Sequence, residues 1–179
     1  MPFTDALLNL VSTQAPLSMI GIASVRSSIQ DFLGLGAGVA PNNIIGNTTL
    51  FGQPDAMGIP QNRLEFDIAT GAADFVGANV TLNIQLQYAP DAGTPTYQPG
   101  TWVTVVESGA IAVGNLLANT PVFRVPLLPP PPGLNRPRFF SLNFVIAGGT
   151  FSVGSIAYAL MTPSRDDFSQ KFAAANYTV

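Results

Sequence analysis

The side chains best suited to chemistry in this sequence are carboxylates, because its 179 residues include no histidine and no cysteine. The usual general base, the thiol nucleophile and the soft metal ligands are therefore missing. Glu65 and Asp67 stand two apart in a strand-like run and share one face, where a carboxylate pair could work as acid and base or hold a hard cation. Their alternation with apolar neighbours instead favours a solvated outer face, beside Arg63.

The remaining reactive groups give weaker signals. Asp166 and Asp167 suit the first turn of a short C-terminal helix better than a metal site. Lys171 has no visible partner for Schiff-base chemistry and is expected to be a surface charge. The glycines at 34, 36 and 38 do not satisfy the G-x-G-x-x-G pattern of a dinucleotide loop. We therefore predict no catalytic residue, no cofactor-binding residue and no metal ligand, and a protein that is not an enzyme.

The composition is poor in charge and predicts a neutral surface. Charged residues make up 9% of the chain, against about 25% in an average soluble domain, and the net charge is −3. Few ions would have to lose water if another protein covered such a surface, so we expect much of it to be covered; a soluble domain with a neutral surface is the alternative. Seven lysines and arginines offer no phosphate-neutralising stripe, which argues against nucleic-acid binding. The apolar region 11–35 is interrupted by polar residues and proline and cannot span a membrane.

The elements that would position any site are strands. From Val39 onward, short apolar runs are divided by Gly, Pro, Asn and Asp, which is typical of an all-β protein. The clearest strand is 80–88, where apolar and polar residues alternate with a period of two. Further strands are predicted at 43–51, 64–68, 102–107 and 122–127, with another candidate within 109–118. The segment 89–100, with three prolines, is predicted to be a loop, and the proline segment 126–133 a stiff polyproline II connection.

The first part of the chain differs from the rest. Short helices are options at 4–11 and 27–33. Such a segment in front of a β-sandwich is either an arm that docks on a neighbouring molecule or a segment that packs on its own domain. The predicted division is an N-terminal arm or docking segment at 1–38, a β-sandwich domain at 39–162 and a C-terminal tail at 163–179.

The stretch 138–162, RFFSLNFVIAGGTFSVGSIAYALMT, predicts two consecutive strands joined by a glycine turn. In its first half, an aromatic or aliphatic residue stands at every second position from 140 to 146. In its second half, Ile156, Tyr158 and Leu160 are predicted to form one apolar face. We interpret the pair as a hairpin with one packed face. With these two, the chain has about eight strands, the number in a jelly roll. A seven-stranded immunoglobulin-like sandwich is the main competitor.

The same stretch resembles the C-terminal part of the Bbp16-like family of tailed-phage capsid proteins. The residues that carry the resemblance are Arg138, Phe139, Leu142, Asn143, Phe144, Gly149, Thr150, Phe151, Gly154 and Ala159. Before them, only the order of strand-like and Gly/Pro-rich segments is similar. The resemblance implies an all-β jelly-roll β-sandwich that decorates or cements the outside of a virus head.

On this resemblance we expect a capsid decoration or cement protein on the outer capsid surface of the virion. The expected partners are the major capsid protein and further copies of the chain, as a dimer or trimer, without nucleic acid, membrane or cofactor. Contacts are expected in the segment 1–38, the loop 89–100, the proline segment 126–133 and the tail after Met161. Two alternatives are a carbohydrate-binding or tail-associated receptor module, which exposed aromatics would support, and a degenerate cupin-type enzyme, against which the lack of histidine argues.

Overall fold

The computed structural model describes residues 9–12, 14–31, 37–40, 64–126, 128 and 137–163, which form an antiparallel β-sandwich. The strands in chain order are β1 (Asn9–Val11), β2 (Leu17–Ser18), β3 (Ser24–Arg26), β4 (Gln30–Asp31), β5 (Leu64–Thr70), β6 (Thr81–Ala89), β7 (Val103–Glu107), β8 (Ile111–Ala112), β9 (Pro121–Pro126), β10 (Phe139–Ala147) and β11 (Ser155–Pro163). A 3-10 turn, Val113–Asn115, follows β8.

Within the described residues, eleven strand segments fill eight places in two sheets, because three strands are each broken in two. β1 and β2 both pair with β11, β3 and β4 with β10, and β7 and β8 with β6. We number the eight places in chain order. Across sheet I, the neighbouring places are the first, eighth, third and sixth. Across sheet II, they are the second, seventh, fourth and fifth. First thus lies beside eighth, second beside seventh, third beside sixth and fourth beside fifth, as in a long hairpin wrapped around a core. This order confirms the predicted jelly roll over the immunoglobulin-like alternative.

The inner faces of the two sheets meet in one apolar core. The strands of sheet II contribute the fully buried Leu82, Ile84, Leu86, Tyr88, Phe140, Leu142 and Phe144. From sheet I, Phe66 packs edge to face on Phe140, with ring centroids 6.0 Å apart. The strands predicted at 64–68, 80–88, 102–107 and 122–127 are confirmed as β5, β6, β7 and β9, within a residue or two at their ends.

β10 and β11 do not form the predicted hairpin. β10 lies in sheet II beside β6, whereas β11 lies in sheet I beside β5. The connection 148–154 therefore crosses from one sheet to the other. The prediction was wrong because alternation shows only that each strand has a buried face. Two strands that face each other across a core have the same pattern as two that lie side by side.

A β-bulge in β11 reverses the predicted faces of its second half. Ala157 is an extra residue with no partner on β5. Beyond it, Ala159 and Met161 are buried in the core, whereas Tyr158 and Leu160 are half-buried on the outer face. The prediction that Tyr158 and Leu160 continue the buried face was wrong, because one inserted residue moves every later side chain to the opposite face.

The described part of the segment 1–38 is built into the sandwich. β1 and β2 extend sheet I, and β3 and β4 extend sheet II, so this part packs on its own domain. The predicted helices are wrong where the structure describes them, since 9–11 is β1 and the end of 27–31 is β4. Helices of one or two turns are marginal in isolation, and the edges of β10 and β11 offer backbone partners instead. The strand predicted at 43–51 and the tail from residue 164 lie outside the described residues.

Gly154, in the crossing connection, should tolerate no side chain. Its φ is +148°, and a Cβ there would overlap the ring of Phe75. We expect Gly154→Ala to lower the free energy of unfolding by about 1–3 kcal/mol in urea denaturation. Gly114→Ala is the matched control: a Cβ at that position meets no atom within 4 Å, so the change should stay within about 0.5 kcal/mol. Equal stability of the two variants would contradict this account.

Candidate functional site

Glu65 and Asp67 lie on the outer face of β5, but both are paired with a cation. Arg124 on β9 approaches the Asp67 carboxylate at 3.4 Å and the Glu65 carboxylate at 3.9 Å. The predicted solvated face is wrong for Asp67, which is buried, and Arg63 lies outside the described residues. The arrangement is an ion-pair network between two neighbouring strands, in which one cation is shared by the two carboxylates that acid and base chemistry would use.

Other chemical candidates give no assembled site in the described part of the chain. There, no three acidic side chains come together as a group that could hold a metal ion. Within the same residues, no helix has the length and apolarity needed to cross a membrane. Asp166, Asp167 and Lys171 lie outside the described residues.

The outer face of sheet II carries a connected row of side chains, most of them uncharged. The Gln85 Oε1 atom accepts hydrogen bonds from Asn143 and Gln87, both at 3.1 Å. Gln87 also donates to the Thr104 hydroxyl at 3.0 Å and accepts from Arg26 at 2.7 Å. The row, here called the amide row, spans β3, β10, β6 and β7. Because each member is held by a neighbour, the orientation of these side chains is fixed before anything binds.

Arg26 ends the amide row on one side and stacks on Trp102. Its guanidinium carbon lies 4.1 Å from the centre of the indole ring, a cation–π contact. Burial lowers the pKa of Arg26 from its ordinary value. The Nη1 atom is buried and has no hydrogen-bond partner among the described residues. One face of Trp102 is therefore covered by the protein itself.

Glu107 ends the row on the other side. Its carboxylate accepts hydrogen bonds from Asn83 at 2.9 Å and from Gln85 at 3.2 Å. These two bonds hold the pKa of Glu107 below its ordinary value, although the carboxylate is exposed. The negative charge is thus stabilised by neutral amides.

Arg138 is the first residue of the stretch 138–162, which resembles the Bbp16-like family. It lies at the end of the sandwich opposite Gly154, where it holds several segments together. Its guanidinium donates to Asp31 at 3.0 Å, to Asp91 at 2.5 Å and to the Val39 carbonyl at 2.6 Å. Burial by itself lowers the pKa of Arg138, but the hydrogen bonds with Asp31 and Asp91 outweigh it and leave the pKa above its ordinary value. Three separate segments, one of them the loop 89–100, are thereby tied to the start of β10.

Of the expected contact regions, the structure describes the loop 89–100 in full. A hydrogen bond of 2.8 Å from the Gly100 amide to the Pro90 carbonyl closes it at its base. Apart from Ala89, which ends β6, it is a loop, as predicted, and an isolated bridge joins Asp91 to Pro99. Of the proline segment 126–133, only two residues are described. Contact of these regions with another protein stays a prediction.

The sequence did not indicate the partners of the three described arginines. Arg138 and Asp31 are 107 residues apart, and Arg124 and Asp67 are 57 apart. A weak signal was available, since Arg124 and Arg138 each adjoin runs of apolar residues in a chain otherwise poor in charge. An arginine in such a place has to find a carboxylate or a carbonyl when the run is buried.

Comparison with known proteins identifies no family. No protein-family model matches this sequence, and no curated protein matches it. The likeness of 138–162 to the Bbp16-like family therefore stays a prediction from the residues themselves.

Arg138→Met should lower the free energy of unfolding by about 3–5 kcal/mol, because it takes the cation away from two carboxylates, of which Asp31 is buried. Arg124→Met is the comparison: its partner Asp67 is also buried, but Arg124 itself is 43% exposed and contacts Asp67 at a longer distance, so its removal should cost less, about 1–2 kcal/mol. Denaturant titration measures both. Neutralising Asp31 as D31N in the Arg138→Met background should restore part of the loss. A similar small effect in both arginine variants would rule out the anchor.

The pKa of Glu107 should lie below its ordinary value and should rise towards it in Asn83→Ala and Gln85→Ala, because each variant removes one hydrogen bond to the carboxylate. Since the folded-state pKa is lowered, the stabilisation is present above the unfolded-state pKa and is lost as pH falls through the folded-state pKa. An NMR titration of the side-chain carboxyl carbon measures the pKa directly. Asn115→Ala, in the 3-10 turn, should leave it unchanged; no response in any variant would contradict the assignment.

Proposed function

We propose that this protein is a structural component of a virus particle, a decoration or cement protein that binds the outer surface of the major capsid shell and stabilises it. One observation carries the proposal. The residues that resemble the Bbp16-like family, 138–162, form the seventh and eighth places of a jelly roll, which is the fold that the resemblance implies. The protein acts by binding and not by catalysis, and it needs no cofactor.

The neutral surface supports this role because covering it with another protein costs little desolvation free energy. On the outer face of sheet II, most side chains that meet solvent are amides and hydroxyls already bonded to one another. Covering such a face strips water from few ions. Because the hydrogen bonds of the amide row hold its side chains before binding, little conformational entropy is lost when another molecule covers this face.

The proposed partners are the major capsid protein and further copies of the same chain, as a dimer or trimer. A shell repeats the same surface many times, so several weak contacts made at once combine into slow release. Contacts that bridge neighbouring capsid subunits resist their separation, and this is how a small protein stabilises a large shell.

A carbohydrate-binding or tail-associated receptor module is the alternative on the same sandwich. It requires an aromatic face open to a sugar ring. Among the described residues, the exposed large hydrophobic side chains are all aliphatic. Trp102 carries Arg26 on its ring, and Phe144 is in the core. These observations favour the capsid role.

A count of copies in purified virions of the encoding phage tests the proposal. Quantitative mass spectrometry should give a copy number in a simple ratio to the major capsid protein, because a decoration protein follows the repeat of the shell. A few copies confined to the tail would contradict the proposal and favour the receptor module.

The same particles allow a second readout. Heads made without the gene should release their genome at a lower temperature than complete heads, since ligand binding stabilises the bound state, and addition of purified protein should restore the difference. Equal heat resistance with and without the protein would remove the cement role and leave decoration alone.

A further inference from the structure

Four loops lie together at one end of the sandwich. They connect β2 to β3 (19–23), β5 to β6 (71–80), β8 to β9 (113–120) and β10 to β11 (148–154). Strands in successive places run in opposite directions, so alternate connections fall at the same end, and the loop 89–100 falls at the other. The four loops together contain one charged residue, Asp74.

Each of the four loops presents an exposed aliphatic side chain. These are Ile20, Val76, Leu117 and Val153, which are 53%, 51%, 52% and 38% exposed. The one other exposed large hydrophobic residue in the described part of the chain is Ile29, between β3 and β4, at 43%. We call the surface made by Ile20, Val76, Leu117 and Val153 the apolar end.

The side chains of the apolar end belong to loops that are bonded to one another. Ile20 bridges to Phe151, and Val153 of the same connection bridges to Val76. The Val76 amide donates to the Val153 carbonyl at 2.9 Å, and a backbone hydrogen bond of 3.0 Å joins the loop of Val76 to the loop of Leu117. Backbone contacts therefore join the four loops to one another.

The apolar end rests on buried residues that keep it rigid. Met19, Phe75 and Leu116 each directly precede one of its exposed residues, and all three are buried. The Phe75 ring packs edge to face on Phe151, with centroids 4.8 Å apart. A surface held in this way pays little ordering entropy on binding, which suits a docking site better than a mobile loop would.

The lack of lysine and arginine in these loops limits the classes of partner that they can bind. Nucleic acids and anionic lipid surfaces are bound through lysine and arginine. The four loops contain neither residue. The surface that fits them is a neutral, apolar one on another protein, where few charged groups lose water.

The size of the apolar end indicates a partner that repeats. Its four side chains expose on the order of 300 Å² of apolar surface, the size of the largest patch on an ordinary monomer. Two copies packed through this end alone would bury far less than the roughly 800 Å² per partner of a stable complex. The contact becomes lasting where several are made together on a repeating surface.

We infer that the apolar end is the surface by which the protein sits on the capsid shell, and that it fits an uncharged apolar depression on the outside of the major capsid protein. The inference rests on the proposed function and adds to it the face that meets the shell. The loop 89–100 and the Arg138 anchor then point away from the shell, which replaces the expectation from the sequence that this loop contacts the capsid.

Binding to heads made without the gene tests the inference, using the full chain and variants Val76→Asp and Leu117→Asp. Each variant should lower the affinity at least about tenfold, because a carboxylate must lose water in an apolar contact. Ile29→Asp is the matched control and should bind like the parent. Parent binding should also persist from about 0.1 M to about 1 M salt, over which the Debye length falls from about 10 Å to about 3 Å. Thermal melting of each free variant checks that it is folded, and Val76→Ser and Leu117→Ser serve if an Asp variant melts early.

The outcomes separate the inference from the proposed function. If the parent binds heads and both Asp variants bind equally well, the inference is wrong and the proposed function stands. If the parent does not bind heads at all, the proposed function fails and the inference with it. An equal loss in Ile29→Asp shows a general charge effect and overturns the inference. If the variants change only the mass of the free protein in solution, the surface binds a second copy of the chain. If they change only its sedimentation with phosphatidylcholine vesicles, the surface binds lipid. Either result overturns the inference.

Discussion

Each long strand of this protein has one apolar face, and that face leaves water only when a second sheet closes over it. Phe66 against Phe140 is the contact at which the two sheets meet. The requirement explains the wrapped strand order, since successive long strands other than β6 and β7 are divided between the sheets and each sheet buries the face of the other. It also explains why β10 and β11, adjacent in the sequence, lie across the core from each other.

The three arginines that the structure describes are used inside the fold. Arg124 joins β9 to β5, Arg138 ties three segments to β10, and Arg26 completes the amide row and covers Trp102. None of these three arginines is left to form a basic patch. What sheet II presents to its surroundings is therefore mainly amide and hydroxyl groups, and this neutrality is a consequence of internal pairing as well as of composition.

The two ends of the sandwich differ in kind. One end is organised by buried charge, where Arg138 holds the loop 89–100 through Asp91. The other end is organised by aromatic packing of Phe75 on Phe151 and presents aliphatic side chains. On the function proposed above, the apolar end would meet the shell and the Arg138 end would face solvent.

The sequence by itself determined the all-β class, the position of the long central strands and the neutral composition. The class and the strand positions follow from the sequence because turn residues and the alternation of apolar and polar residues are local features, which a strand such as β6 shows without reference to its neighbours. The tertiary structure decided which strands pair, since a buried face fits a neighbour or an opposite strand equally well. It also decided the faces of Tyr158 and Leu160, because a single bulge at Ala157 depends on the register with β5. The arginine partners and the apolar end likewise join residues far apart in the chain, and only folding brings them together.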